Sequence, residues 1–242
     1  MYIDRDISKC LKQLAHHFPA LVITGARQVG KTTLLRNTFP TYTYVSLDLP
    51  STAESAETEP DTFLKRYPAP LIVDEIQYGP KLFRHLKRAI DADRHAMGQF
   101  ILTGSQKFEL MKEVSDSLAG RVAVLELEGL SLKEVGSDKG TIEHFLVRGG
   151  FPELWRDPDL PGEAFFSSYL ATYLERDVRQ ILGVTSLRDF ERFIRACAAR
   201  NGQLLDKTAL GSDVGVSSKA VASWLSVLQA SNQIVLLEPW FA

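Results

Sequence analysis

Cysteine is scarce in this sequence, which has only Cys10 and Cys197 among its 242 residues. The two lie far apart without metal-ligand spacing, so we expect no disulfide framework and a reducing compartment. Long apolar runs are missing as well. No stretch reaches the roughly 18 apolar residues needed to cross a membrane, and the charged start MYIDRDISKC is unlike a secretory signal. These absences predict a cytoplasmic protein without a membrane partner.

A strong excess of charge of either sign is also lacking. Lysine and arginine total 28 and aspartate and glutamate total 30, so the formal net charge is -2. A dedicated polyanion-binding protein would be basic overall, so any contact with nucleic acid would have to be local. The hydrophobic fraction of 45% is ordinary for a folded domain.

Short apolar segments alternate with helical patterns over the first 130 residues or so. The segments are nearly continuous rather than alternating, as is typical of strands buried on both faces. Strand, helix, strand order predicts an α/β fold with a doubly wound parallel sheet. The polar stretch PSTAESAETEPD (50–61) is predicted to be a loop. The five strands are expected at 20–24, 43–47, 70–74, 99–103 and 122–127.

The remainder of the chain has helical patterns. A short helix ending near Gly211, a turn, a second helix capped by Ser217 and a strand at QIVLL (233–237) follow the order of a winged helix-turn-helix. A wing strand near Ala242 would lack a partner, so we expect the native protein to continue beyond it. The predicted parts are a core at 1–135, a helical linker or lid at 136–184 and a winged helix at 185–242.

The segment GARQVGKT (25–32) fits the pattern G-x-x-x-x-G-K-S/T, with a predicted strand before it and a helix after it. In such a loop the backbone N–H groups converge on phosphates, the lysine neutralises the β and γ oxygens and the hydroxyl reaches Mg²⁺. The predicted nucleotide-binding residues are Gly25, Ala26, Arg27, Gln28, Val29, Gly30, Lys31, Thr32 and Thr33.

Two acidic residues end the third predicted strand in LIVDEIQ. Asp74 is predicted to hold the magnesium hydration shell together with Thr32, and Glu75 to polarise the attacking water. A solvated acidic loop is the plainer alternative. No Asn-Lys-x-Asp motif for reading guanine is present, which argues against a GTPase, and no arginine-rich lid indicates a kinase.

Further candidate side chains lie next to the last two predicted strands. Ser105 or Thr103 in ILTGSQ is predicted to lie between Glu75 and the γ-phosphate, although Ser105 could instead cap a helix. Arg121, before the last strand, could reach the γ-phosphate of a neighbouring subunit, which would require a homo-oligomer. A surface salt bridge is an equally good interpretation of this arginine.

The motifs VITGARQVGKTTLL, LIVDEIQ, FILTGSQ, LAGRVAVLELEGLSLKE, RGGFPEL and YLERDV resemble, in this order, prokaryotic AAA+ ATPases that carry a C-terminal domain of unknown function. This resemblance covers nearly the whole chain. It implies a five-stranded core in the order 5-1-4-3-2, a winged helix and a further module that this chain lacks. It also assigns Lys31 and Thr32 to phosphate and magnesium, Asp74 and Glu75 to metal and water, and Ser105 to the sensor position.

The leading hypothesis is therefore a magnesium-dependent ATPase that moves a winged-helix lid and acts on an unknown client. The alternative is a DNA-binding regulator or defence component that uses ATP as a switch with little turnover, and Ser217, Ser218 and Lys219 would then meet the DNA. An arginine at 176 or 179 could touch the nucleotide, although an internal ion pair with Asp177 explains these charges as well.

Overall fold

A computed structural model describes residues 2–105, 107–136, 141–173 and 187–240. The chain divides into two compact units, Met1–Asp159 and Leu160–Ala242. Within the described residues no helix is long and apolar enough to span a membrane.

The first unit contains a parallel sheet of five strands in the order β2-β3-β4-β1-β5. This is the expected order 5-1-4-3-2 counted from the opposite edge, so the prediction is confirmed. All four neighbouring pairs are parallel, so the carboxyl ends of the strands lie along one edge. The strands are β1 (Ala20–Thr24), β2 (Thr43–Ser46), β3 (Leu71–Asp74), β4 (Phe100–Thr103) and β5 (Val122–Glu126).

Both faces of this sheet are buried, which explains the continuous apolar segments. Val22 packs into a core with β2–β4 side chains and the helices on one face, whereas Leu21 and Ile23 join a second core on the other face. The helices are α1 (Ile7–Ala15), α2 (Lys31–Thr38), α3 (Pro50–Thr58), α4 (Pro60–Arg66), α5 (Leu82–Ala92), α6 (Lys107–Leu118), α7 (Leu132–Val135), α8 (Ile142–Arg148) and α9 (Pro152–Arg156).

The polar stretch 50–61 is helical, so the loop prediction was wrong. It forms α3 and the start of α4, and each of these helices begins with a proline, a residue that suits the first helical position. Ala56 and Phe63 are buried in the core. The small inward-facing residues of α3 are Ala56 and the partly buried Ala53, and the polar composition of the segment hides them.

The second unit is helical where it is described. Its elements are α10 (Gly162–Tyr173), α11 (Leu187–Ala199), α12 (Lys207–Val214) and α13 (Ser218–Ala230). Trp224 of α13 packs edge-on against Phe190 and Phe193 of α11, with ring centroids 5.2 Å apart in both pairs. Helix α12 ends at Val214, three residues later than expected, and Ser217 caps α13 as predicted.

The predicted wing strand at 233–237 is not formed, and the described residues 234–240 have no regular secondary structure. Asn232 takes a left-handed conformation, and the N–H of Gln233 donates to the Leu228 carbonyl at 2.7 Å. The chain therefore turns back onto the end of α13 instead of leaving it as an extended strand. The candidate sensor residues 176, 177 and 179 lie outside the described residues.

Candidate functional site

The loop between β1 and α2 has the backbone conformation that its glycines predict. Gly25 has φ 143° and Gly30 has φ 93°, values that side-chain-bearing residues rarely adopt. A Cβ at Gly25 would lie 2.2 Å from the Leu127 carbonyl oxygen. The first glycine is therefore needed both for its conformation and for close packing against the chain that follows β5.

The other loop residues differ in how far their side chains are exposed to solvent. Ala26 and Val29 are buried in the core beneath the sheet, so only their backbone is available to a ligand. Gln28 is exposed and has a left-handed φ of 61°, a conformation unusual for a residue other than glycine. Arg27 is half-buried and Thr33 is exposed.

Lys31 lies at the first position of α2 and is 7% exposed. Its Nζ donates to the Gly25 carbonyl at 2.9 Å and to the Ala26 carbonyl at 2.8 Å. These contacts fold the ammonium back over its own loop and compensate for its burial. The charge is therefore held next to the backbone N–H groups of the loop, where an anion would be favoured.

The side chains of Asp74 and Thr32 form a hydrogen bond, although the two residues lie in different motifs. The Thr32 hydroxyl donates to Asp74 Oδ2 at 2.6 Å, Tyr44 donates to the same oxygen at 2.8 Å, and Thr103 donates to Oδ1. Hydroxyl and carboxylate oxygens are ligands that Mg²⁺ prefers. No group of three or more His, Cys, Asp or Glu side chains suited to a metal occurs among the described residues.

Tyr44 was not predicted to belong to the site. It lies in β2 beside β3, and the register pairs it with Ile72. Burial, followed by the hydrogen bond to Asp74, raises the pKa of the Tyr44 phenol above its ordinary value. The phenol therefore keeps its proton at ordinary pH and can donate to the carboxylate. The sequence offered no signal beyond a tyrosine in a predicted strand.

Glu75 is held by two side-chain donors. Gln77 Nε2 and Ser105 Oγ both donate to Glu75 Oε2, the latter at 3.3 Å. The backbone N–H of Glu75 donates to Thr103 Oγ1 at 3.4 Å, and its φ of 54° is left-handed. Ser105 thus contacts Glu75, and its place between Glu75 and a γ-phosphate stays a prediction. Thr103 contacts both acidic residues, and Gln77 is a contact that the sequence did not indicate.

Arg121 is not brought to the site of its own chain. It precedes β5, and its carbonyl accepts a hydrogen bond from the N–H of Ala20, the first residue of β1. It therefore lies at the amino edge of the sheet, opposite the phosphate loop. Its guanidinium forms two hydrogen bonds to Asp91, at 2.8 and 2.9 Å. The salt-bridge interpretation accounts for these contacts, and a role in a neighbouring subunit stays a prediction.

Arg5 is a second residue that was missed. It lies just before α1, and its side chain is 6% exposed. It donates to Val29, inside the phosphate loop, and to the Glu134 carboxylate of α7. The Glu134 partner is more than 120 residues away in sequence, so no local pattern could indicate this contact.

Glu134 is a buried carboxylate that is held by several hydrogen-bond donors. Burial alone would raise its pKa, but the N–H groups of Ser131 and Asp6 and the Arg5 guanidinium outweigh burial, so the pKa lies below its ordinary value. A carboxyl whose pKa is lower in the folded state stabilises the fold above its unfolded pKa of about 4.3. This stabilisation is lost as the pH falls through the folded pKa.

Replacing Glu134 by glutamine should therefore destabilise the protein at neutral pH by about 1.5–3 kcal/mol, the range for hydrogen bonds to charged groups. The difference from wild type should shrink as the pH falls through the lowered pKa of folded Glu134, where the wild-type carboxylate also takes up a proton. Urea unfolding of both proteins between pH 3 and pH 8 measures this. A difference that is equal at every pH would contradict the assignment.

Comparison with known families matches residues 17–136 to the AAA domain and residues 139–242 to a domain of unknown function, DUF8612. The second match covers the part predicted to be a lid and winged helix. The uncharacterized proteins Rv2008c of Mycobacterium tuberculosis and Mb2031c of Mycobacterium bovis are each 30% identical over 241 residues. The chain spans 54% of the length of these relatives.

Among solved structures, the Walker-type ATPase of Pyrococcus abyssi is similar to this chain, with a TM-score of 0.60 and 15% identity. The similarity covers 97% of this chain and 91% of the other. Over residues 17–136 the chain therefore matches the AAA domain, and it has the α/β fold of P-loop ATPases.

Proposed function

We propose that the protein binds ATP with Mg²⁺ at the loop 25–32 and hydrolyses it. The observation that carries this proposal is the 2.6 Å hydrogen bond between Thr32 and Asp74. It joins two residues that are 42 positions apart and lie in different motifs. Each motif by itself predicts a contact with Mg²⁺. Lys31, the loop amides and Glu75 lie at the same edge of the sheet.

Each residue has a distinct role in this proposal. The loop amides and Lys31 bind the β- and γ-phosphates, and Thr32 and Asp74 hold Mg²⁺. When bound, the ion neutralises charge that develops on the phosphate oxygens. Glu75 orients a water molecule and accepts its proton through Oε1, while Gln77 and Ser105 donate to Oε2.

Ser105 gives this site a means of responding to the nucleotide. Its hydroxyl reaches Glu75 at 3.3 Å, and a γ-phosphate oxygen would compete for the same donor. We propose that this exchange couples the nucleotide state to the helical second unit, which acts on a client. The alternative is a DNA-binding regulator that uses ATP as a switch, in which Ser217, Ser218 and Lys219 would contact the DNA.

Calorimetric titration with ATP and GTP, with Mg²⁺ and with EDTA, tests the binding step, and phosphate release tests turnover. We expect magnesium-dependent ATP binding and release of inorganic phosphate. Saturable binding without turnover, accompanied by salt-dependent binding of duplex DNA, would favour the switch. Absence of any nucleotide binding by the folded protein would refute the proposal.

Replacing Tyr44 by phenylalanine should raise the Mg²⁺ concentration needed for half-maximal turnover by about tenfold. The reason is that the Asp74 carboxylate loses the hydrogen bond donated by the Tyr44 hydroxyl. ATP affinity measured in EDTA should not change. Tyr42→Phe is the matched control, since this tyrosine lies just before β2 and packs against Phe39 instead. Equal Mg²⁺ dependence in both variants would contradict a role for Tyr44 at the metal site.

A further inference from the structure

Arg5 connects three separate segments of the first unit through one buried guanidinium. Nη1 donates to the Val29 carbonyl at 2.9 Å, and Nη2 donates to the Glu128 carbonyl at 2.7 Å and the Gly129 carbonyl at 3.1 Å. Nε donates to Glu134 Oε1 at 3.1 Å. The planar five-donor fork of arginine suits such a divergent set of acceptors, whereas the compact ammonium of lysine does not.

The contact with Val29 determines more than the position of one carbonyl. The Val29 C=O and the Gly30 N–H belong to the same planar peptide unit, in which the two groups point in opposite directions. A donor that holds the carbonyl oxygen on one side therefore aims the Gly30 N–H to the other side. The Val29 carbonyl is held by the buried Arg5 guanidinium, so the Gly30 N–H points to the side opposite Arg5.

Gly30 needs an external support of this kind. Glycine allows many backbone conformations, and this residue has φ 93°. Apart from the adjoining residues, the one described atom within 4 Å of where a Cβ would lie is Pro152 Cγ, at 3.7 Å. The local sequence therefore does little to fix the orientation of this peptide unit.

The other contacts of Arg5 hold the chain after β5, which packs against the start of the loop. Glu128 and Gly129 directly follow Leu127, whose N–H donates to the Thr24 carbonyl at 2.8 Å and whose own carbonyl lies against Gly25. Arg5 thus holds the chain that packs on the first glycine of the loop and, through Val29, the peptide unit of the last glycine. Both ends of the loop depend on one side chain.

We propose that Arg5 is a positioning residue that aims the Gly30 N–H into the phosphate-binding loop and so determines the affinity for the phosphate chain. The proposal rests on the proposed function, because it assumes that this loop binds a nucleotide. Arg5 itself does not touch the nucleotide. It acts through the peptide unit between Val29 and Gly30.

The test uses Arg5→Lys, which keeps the charge, and Arg5→Gln, which keeps one donor group. We expect the dissociation constant for ADP and the KM for ATP to rise about tenfold, as for the loss of one well-aimed hydrogen bond to a charged group. The kcat at saturating ATP should stay within about twofold, because Glu75 is unchanged. Arg5→Lys should retain more affinity than Arg5→Gln.

Two controls separate positioning from general destabilisation. Lys133→Ala removes the neighbouring ion pair with Asp6, 2.8 Å in length, without touching the loop, and should bind ADP like wild type. Glu134→Gln leaves the three carbonyl contacts of Arg5 and should lower stability with little change in ADP affinity. A loss of affinity in Glu134→Gln as large as in Arg5→Lys would overturn the proposal.

The amide signal of Gly30 in the nitrogen–proton NMR spectrum of the nucleotide-free protein gives a readout that requires no ligand. We expect it to shift or broaden in Arg5→Lys and Arg5→Gln and to stay in place in Lys133→Ala. An unchanged Gly30 signal in a folded Arg5 variant would overturn the proposal. A wild-type protein that binds no nucleotide would instead refute the proposed function, and the NMR result would still decide whether Arg5 orients Gly30.

Discussion

The Lys31→Ala protein should bind ATP at least about 100-fold more weakly than wild type, because a buried charge partner of the phosphates is worth about 3 kcal/mol or more. Lys31 is 7% exposed, and its ammonium already lies over the loop through the Gly25 and Ala26 carbonyls. Little water would need to be displaced and little side-chain freedom lost when phosphate arrives. Calorimetry or fluorescence titration with ATP measures the change.

Stability has to be followed together with binding in this variant. Removing Nζ leaves two loop carbonyls without this donor, which destabilises the loop as well as the complex. Lys31→Met keeps most of the aliphatic chain and separates the two effects, and Lys9→Ala, on the exposed side of α1, is the surface control. ATP affinity near the wild-type value in a folded Lys31→Met protein would contradict the assignment of the loop.

The Glu75→Gln protein should bind ATP with near wild-type affinity and hydrolyse it about 10²–10⁴-fold more slowly, the range attributed to a general base. Glutamine has the shape of glutamate but cannot accept the proton of the attacking water. Gln77 and Ser105 donate to Oε2, and a side-chain amide oxygen can accept both bonds. The substitution should therefore preserve the arrangement while removing the chemistry.

Single-turnover measurements with the variant separate hydrolysis from product release. Glu54→Gln, an exposed change on α3, should leave the rate unaltered. A Glu75→Gln rate equal to wild type would show that another group accepts the proton. Loss of ATP binding in this variant would point instead to a structural role for Glu75.

The sheet could be predicted from sequence because its three inner strands, β1, β3 and β4, are buried on both faces and therefore appear as continuous apolar segments. The edge strands β2 and β5 are only partly buried. The loop 25–32 and the pair Asp74–Glu75 could be predicted because their chemistry requires fixed residue types at fixed local spacing. Tyr44, Gln77 and Arg5 could not. Tyr44 and Arg5 act through hydrogen bonds to partners 30 and 129 residues away, which only the completed fold brings together. Gln77 is two residues from Glu75, and its contact follows the left-handed backbone at Glu75, which the sequence pattern did not indicate.

The errors outside the site have related causes. Helix α3 was missed because one buried alanine and a leading proline give little hydrophobic periodicity. The strand at 233–237 was predicted from apolar composition, but composition does not supply a neighbouring strand to pair with its backbone. In both cases tertiary contacts decided the local structure.

Two non-glycine residues with left-handed backbone, Gln28 and Glu75, follow β1 and β3 at the carboxyl edge of the sheet. Backbone of this kind costs roughly 1–3 kcal/mol per residue, so this edge is less stable than its sequence would allow. Directed evolution for heat resistance alone would be expected to relax these positions first. Selection for heat resistance alone would then give a more stable protein with lower catalytic activity, unless turnover were selected at the same time.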